Sequence, residues 1–207
     1  MRKLGKFDCA RAAISLLLGA MFVIAAVGAY SFWLPGGFQA SNLIELSFWS
    51  NLLAGILLLA DGGYALARKK HLPNWLFFDA TILLLIVCGM ILAFGGNLAH
   101  GFQFVHIVDP ILMMIFWLIF INHSRDKIAQ TVLSAAVAPL CYLLVVEIFA
   151  HGYYPIIDPR ENGAAAVALL LAAIVAVVII LAFGLLYLNR WRWRIFSAQS
   201  KLSKGGK

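Results

Sequence analysis

Ser47, Ser50 and Asn51 lie in the stretch Glu45-Leu-Ser-Phe-Trp-Ser-Asn51, and His106 and Asp109 lie in Gly101-Phe-Gln-Phe-Val-His-Ile-Val-Asp-Pro110. These are polar groups set inside apolar sequence. Ser47 and Asn51 are four residues apart and share a helix face, with Ser50 beside them. A serine hydroxyl is a weak nucleophile until a base takes its proton, and histidine is the usual base. His106 is therefore read as the general base for Ser47. The unpaired N–H groups of a first helical turn, or the Asn51 amide, would serve a developing oxyanion. Asp109, three residues on from His106, would orient the ring or bind another partner. Pro110 has no N–H for the carbonyl four residues back, that of His106, so a bend is expected there. The blander alternatives are a serine bonded to its own helix carbonyls and a kinked structural helix.

The elements that must position these groups follow from composition. The chain is 207 residues long, 63% hydrophobic and 12% charged, with a mean hydropathy of +0.93. A soluble domain is about half apolar and a quarter charged, so an all-α integral membrane protein is expected. Crossing a bilayer takes about 20 apolar residues. Six segments qualify, at about 10–32, 43–66, 75–94, 102–122, 128–150 and 164–188, followed by a basic tail, 189–207. Connections are short, which predicts one six-helix bundle with no soluble domain. An ionisable group in the middle of a span costs about 2.5–3.5 kcal/mol, so His106 and Asp109 stand out.

Charge sets orientation. Of 16 Lys and Arg residues, 15 fall on one side, at the N-terminus, in the 68–70 and 125–127 loops and in the tail, with Arg160 opposite. Both termini are then cytoplasmic. The net charge of +7 reads as topology and contact with anionic lipid heads, not as a nucleic-acid footprint. Trp191 and Trp193, alternating with arginines, read as an interfacial anchor. Asp61 and Asp79 are expected to pair with Arg68, Lys69 or Lys70. Cys9, Cys88 and Cys141 have neither metal-ligand nor disulfide spacing. The N-terminal segment reads as a retained helix in a bacterial plasma membrane.

Further polar groups gather on the outer side. Ala138-Pro-Leu-Cys-Tyr142 precedes Glu147, and His151-Gly-Tyr-Tyr-Pro-Ile-Ile-Asp158 follows. Pro139 is expected to kink or loosen its helix. Tyr142, Glu147, Tyr154 and Asp158 are candidates for lining or covering a pocket, and Tyr153 for an interfacial belt. Ala164, Ala168, Ala172 and Ala176 read as a packing stripe.

Three of these patches resemble the androgen-induced, FAR-type membrane hydrolases, small six-helix proteins in bacteria. They are Leu46-Ser-Phe-Trp-Ser-Asn-Leu52, His106-Ile-Val-Asp-Pro110, and Ala138-Pro-Leu-Cys-Tyr142 with Tyr153-Tyr-Pro155. The resemblance implies a threonine–histidine hydrolase of lipid esters, such as fatty acid esters of hydroxy fatty acids. It puts the nucleophile on Ser47, where the family has threonine, and the base on His106. Membrane lipids and a lipid ester are the expected partners, with no cofactor and no metal. A proton-coupled small-molecule transporter using His106, Asp109 and Glu147, with Pro110 and Pro139 at broken-helix positions, is the alternative. Bis-histidine haem ligation is disfavoured, because only His106 is well placed for it, with His100 and His151 near the surface.

Overall fold

A computed structural model describes residues 5–95, 98–124, 126–149 and 158–205. Among them all regular structure is helical. Helix α1 (Lys6–Val27) continues through a π-helical turn, Gly28–Phe32, and a 3-10 turn, Ala40–Ile44, leads into α2 (Leu46–Arg68). After α3 (Asn74–Phe94), a second π-helical turn, Phe104–Val108, runs into α4 (Asp109–Phe120). Helix α5 (Ile128–Phe149), the single turn α6 (Pro159–Asn162) and α7 (Ala164–Gly205) complete the chain.

Five of these helices, α1 with its π turn, α2, α3, α5 and α7, are long and apolar enough to cross a membrane. The segment expected at 102–122 is a shorter apolar helix, Phe104–Phe120, broken by its π turn. Helix α5 passes through Pro139 as one element. The expected end of the last helix at 188 is corrected: α7 runs 42 residues to Gly205. No glycine or proline stands between Leu185 and Lys204, so nothing in the basic tail stops the helix.

Helices α1 and α2 meet backbone to backbone. The buried face of α1 includes Ala12, Ser15, Gly19, Phe22 and Ala26, at helical spacing. Opposite it stand Gly55, Leu58, Gly62 and Ala65 of α2. A Cβ on Gly19 would lie 2.7 Å from the Leu59 nitrogen and 2.8 Å from the Gly55 oxygen. One on Gly62 would lie 2.8 Å from the Ala12 oxygen. Small residues here allow the close approach on which helix pairs rely when apolar surroundings give them no hydrophobic drive. The alanine stripe of α7 does not play that part. Ala164, Ala168, Ala172 and Ala176 are exposed, and α7 buries Val167, Val178, Ala182, Leu185, Leu186 and Asn189 instead. The core proper is built from Phe22, Leu58, Phe77, Phe78, Met113, Phe116 and Trp117.

At the basic end, α1 and α2 are also pinned by charge. Arg11 donates to both oxygens of Asp61, at 3.1 Å each, and Ser15 Oγ donates at 3.2 Å. His71 Nδ1 lies 3.0 Å from Asp61 Oδ2, and the Leu72 N–H donates to Oδ1 at 2.8 Å. Asp61 is fully buried and carries five contacts, which is how a buried carboxylate is tolerated. Its partner is thus Arg11, not a residue of the 68–70 loop. Asp79 likewise accepts from Ser134 at 3.0 Å rather than from that loop.

The last turns of α7 close the same end. Asn189 Nδ2 donates to the Ile121 carbonyl at 2.9 Å, and Trp193 Nε1 donates to it at 2.8 Å. Arg192 donates to the carbonyls of Leu118 and Ile119. These are terminal carbonyls of α4 that have no N–H four residues on, and a cation suits that end of a helix dipole. Trp193 is therefore a clamp on α4, while Trp191, exposed, keeps the anchoring role. Within the clamp His123 is fully buried. Trp117 Nε1 donates to its Nε2 at 2.9 Å, which leaves Nδ1 to donate to Asp126 at 2.6 Å. Burial holds the His123 imidazole below its ordinary value, against the opposing pull of Asp126.

Two outcomes follow. Gly19→Leu forces α1 off α2 and lowers thermal stability by about 1–3 kcal/mol, whereas Ala168→Leu on the open face of α7 leaves the melting temperature unchanged. For His123, the unfolded chain binds a proton more readily than the folded one. Stability is then complete above the ordinary histidine value, about 6.5, and falls as the pH drops below it. Melting curves across that range should show a shallower acid slope in His123→Asn.

Candidate functional site

The two π turns face one another at the end of the bundle opposite the basic loops. A π turn widens a helix by one residue and re-aims the side chains around it. Trp33 is the wedge between them. A Cβ on Gly28 would lie 2.7 Å from its ring, and one on Gly101, whose φ is +89°, would lie 2.2 Å from it. Only glycine meets both demands at position 101. The first turn delivers Tyr30 and the second His106, both buried.

Proline determines the second turn. The Asp109 N–H bonds to the Phe104 carbonyl, five residues back. In that register the next donor would be Pro110, and the acceptor it fails to serve is Val105. The bend expected at Pro110 is therefore a π turn, and the bereft carbonyl is that of Val105. Asn51 Nδ2 supplies the missing donor, at 2.9 Å from the Val105 oxygen.

The other Asn51 amide proton goes to the Ser47 carbonyl at 2.7 Å, which also accepts from Ser50 Oγ at 3.2 Å. Both Nδ2 partners are carbonyl oxygens, so the amide can be placed only one way round. This corrects the expectation that the Asn51 amide serves an oxyanion: its two protons hold peptide groups. Ser50 and Asn51 thus position Ser47 and tie α2 to the His106 turn. Ser47 is the second residue of α2, where no side chain caps the helix. The N–H groups of Ser47 and Phe48 have no helical carbonyl in register.

Ser47 is 5% exposed and His106 6%. Ser47 Oγ pairs with the hydroxyl of Tyr30, and either oxygen can donate. Around this pair stands an aromatic box. Tyr30 is edge-on to Phe102 at 4.9 Å between centroids and to Phe48 at 5.5 Å. His106 stacks on Phe102 at 5.5 Å. The structure therefore brings Ser47, Ser50 and Asn51 into one buried cluster, with the hydroxyl of Ser47 against Tyr30, and Asn51 ties that cluster to the backbone of the turn that carries His106. Tyr30 escaped the sequence reading because an aromatic ring at the end of an apolar span ordinarily marks an interface. Its only signal is that it ends the first span at the depth where Ser47 begins the second.

The remaining candidates divide. Asp109 is fully buried, on the face of α4 that carries Met113 and Phe116. Tyr142 donates its hydroxyl to the Ile44 carbonyl, which fixes the approach to α2 from α5. Asp158 caps α6, its Oδ1 accepting from the Arg160 N–H at 2.8 Å. Tyr154 lies outside the described residues, as do His151, Tyr153 and the side chain of Glu147. No group of His, Cys, Asp and Glu among the described residues is placed to hold a metal ion.

Replacing Asn51 by leucine removes donors from two carbonyls at once. A lost partner in a buried setting costs about 1–3 kcal/mol, so Asn51→Leu should lower thermal stability well beyond Ser50→Ala, which leaves the Ser47 carbonyl a second donor. Detergent melting curves of the two variants make the comparison. Neither a family model, nor a curated protein, nor a solved structure matches the chain.

Proposed function

We propose that the chain is an intramembrane hydrolase of lipid esters, with Ser47 as nucleophile and His106 as general base. The observation that carries this reading is the Ser47 hydroxyl itself. It is buried in a first helical turn and bonded to a second hydroxyl, and the Ser47 carbonyl is tied through Asn51 to the backbone of the turn that bears a buried histidine. The resemblance of the three patches to the androgen-induced hydrolases points the same way.

In this reading six segments span a plasma membrane, the short α4 segment among them, with both termini cytoplasmic. The ester enters from the outer leaflet, its acyl chain lying between helices and its carbonyl at the aromatic box. Ser47 Oγ attacks the carbonyl carbon while its proton passes to the His106 imidazole. The N–H groups of the α2 first turn, at the positive end of the helix dipole, receive the oxyanion. Collapse expels the alcohol, which takes the proton from His106, and water then releases the acid from Ser47. Tyr30 holds the serine rotamer through its hydroxyl.

The transporter reading has one observation in its favour, the buried carboxyl of Asp109, and one against it. On α2, Asn51 and Asp61 are ten residues apart, about 15 Å along the axis. Ala54 and Leu58 between them pack into the apolar core. The outer polar cluster and the Arg11–Asp61 network are separate, and no polar path joins them among the described residues.

Fluorophosphonate labelling of the detergent-solubilised protein tests the proposal. Wild type should label and Ser47→Ala should not, while His106→Ala should label about 10²–10⁴-fold more slowly. Labelling that survives Ser47→Ala unchanged removes Ser47 from the role. Flux into liposomes that depends on His106 but not Ser47 supports transport instead.

A further inference from the structure

Asp109 is fully buried, and neither of its carboxyl oxygens has a hydrogen-bond partner. Asn51 is fully buried as well, and its Oδ1 is equally without a partner. Buried polar atoms are nearly always bonded, so each such atom calls for a cause. Here the three share one. All are acceptors, and the Asn51 amide cannot be turned to supply a donor, because both its protons are committed to the carbonyls of Ser47 and Val105.

The atoms flank the same stretch of chain. Asn51 is bonded to the Val105 carbonyl, and Asp109 follows Val105 by four residues, one turn on the same face. The segment's own titratable neighbour is His106, three residues back. From α2 come Ser47, Ser50 and Asn51, from the turn after α1 comes Tyr30, and α3, packed against the same segment, has Cys88 as the titratable residue between 84 and 94 and no charged one there. None of these donates to Asp109. An ionised carboxylate with no donor and no counter-charge is the costliest group that can be buried. A hard metal ion would answer the charge but wants about six oxygens, and three are on offer. One proton on Asp109 removes the charge and turns one of three acceptors into a donor.

We propose that Asp109 is a proton-binding site, a neutral carboxylic acid at neutral pH whose O–H is the donor that Asn51 Oδ1 lacks. The site holds an exchangeable proton three residues from His106, in the same bent segment. The inference does not depend on Ser47 being a nucleophile.

Infrared difference spectroscopy between wild type and Asp109→Asn at neutral pH reads the proton directly. The wild type should show the carbonyl stretch of a protonated carboxylic acid, and the variant should lose it. Asparagine is the neutral isostere of the acid, so Asp109→Asn should fold with an unchanged melting temperature in buffers with and without sodium. A wild-type spectrum lacking that band overturns the proposal. Failure of Asp109→Asn to fold does so too, because a site built for a neutral acid accepts the amide. Stabilisation of wild type by sodium that Asp109→Asn abolishes would replace the proton with a metal cation, and so also overturns it.

Discussion

The single contact on which the end of the bundle opposite the basic loops depends is the amide of Asn51 bridging two carbonyls. Pro110 denies its segment one backbone hydrogen bond, and the helix accommodates the loss by widening into a π turn. The carbonyl left over, that of Val105, sits in apolar surroundings where an unpaired acceptor is costly. Asn51 reaches across from α2 to serve it at 2.9 Å. The same side chain grips the peptide of Ser47, so one residue sets the relative position of the serine and the histidine turn. A proline that would otherwise weaken the fold becomes the reason that two helices register against each other.

The polar groups are arranged in two storeys with an apolar floor between them. In the lower storey Asp61 receives donors from Arg11, Ser15 and the Leu72 backbone, the α4 carbonyls are capped by Asn189, Arg192 and Trp193, and His71 Nε2 is the buried polar atom left over. The upper storey leaves three acceptors unmet, one on Asn51 and two on Asp109.

Much of the outer cluster was legible in the sequence. Ser47, Asn51 and His106 are polar and set inside apolar runs, which singles them out, but which helices adjoin was not legible, and it is Asn51 that reaches the backbone of the His106 turn. Tyr30 was not legible, since an aromatic residue at a span's end has a more ordinary explanation. Arg11 was counted with the basic N-terminus as a topology signal, which hid its bond to an aspartate 50 positions away. The alanine stripe of α7 misled because four-residue spacing identifies a face but not whether anything stands against it. The glycines at 19, 55 and 62, which do line the tight interface, carry no regular motif. The length of α7 was missed because charge was taken to end a helix, when charge ends only the apolar part of one.

The Arg11–Asp61 pair bears on how the chain is built as well as on how it stands. The first helix emerges from synthesis carrying a guanidinium whose carboxylate is encoded 50 residues later. Until α2 arrives, the only counter-charge for that cation on its own helix is Asp8, one turn back. Helix α1 on its own leaves Arg11 partly paired, and α1 with α2 pairs it at both Asp61 oxygens. The glycine contacts that let the two backbones touch are available at the same moment. Charge and close backbone packing thus join α1 and α2 as one hairpin, and α3 packs against it.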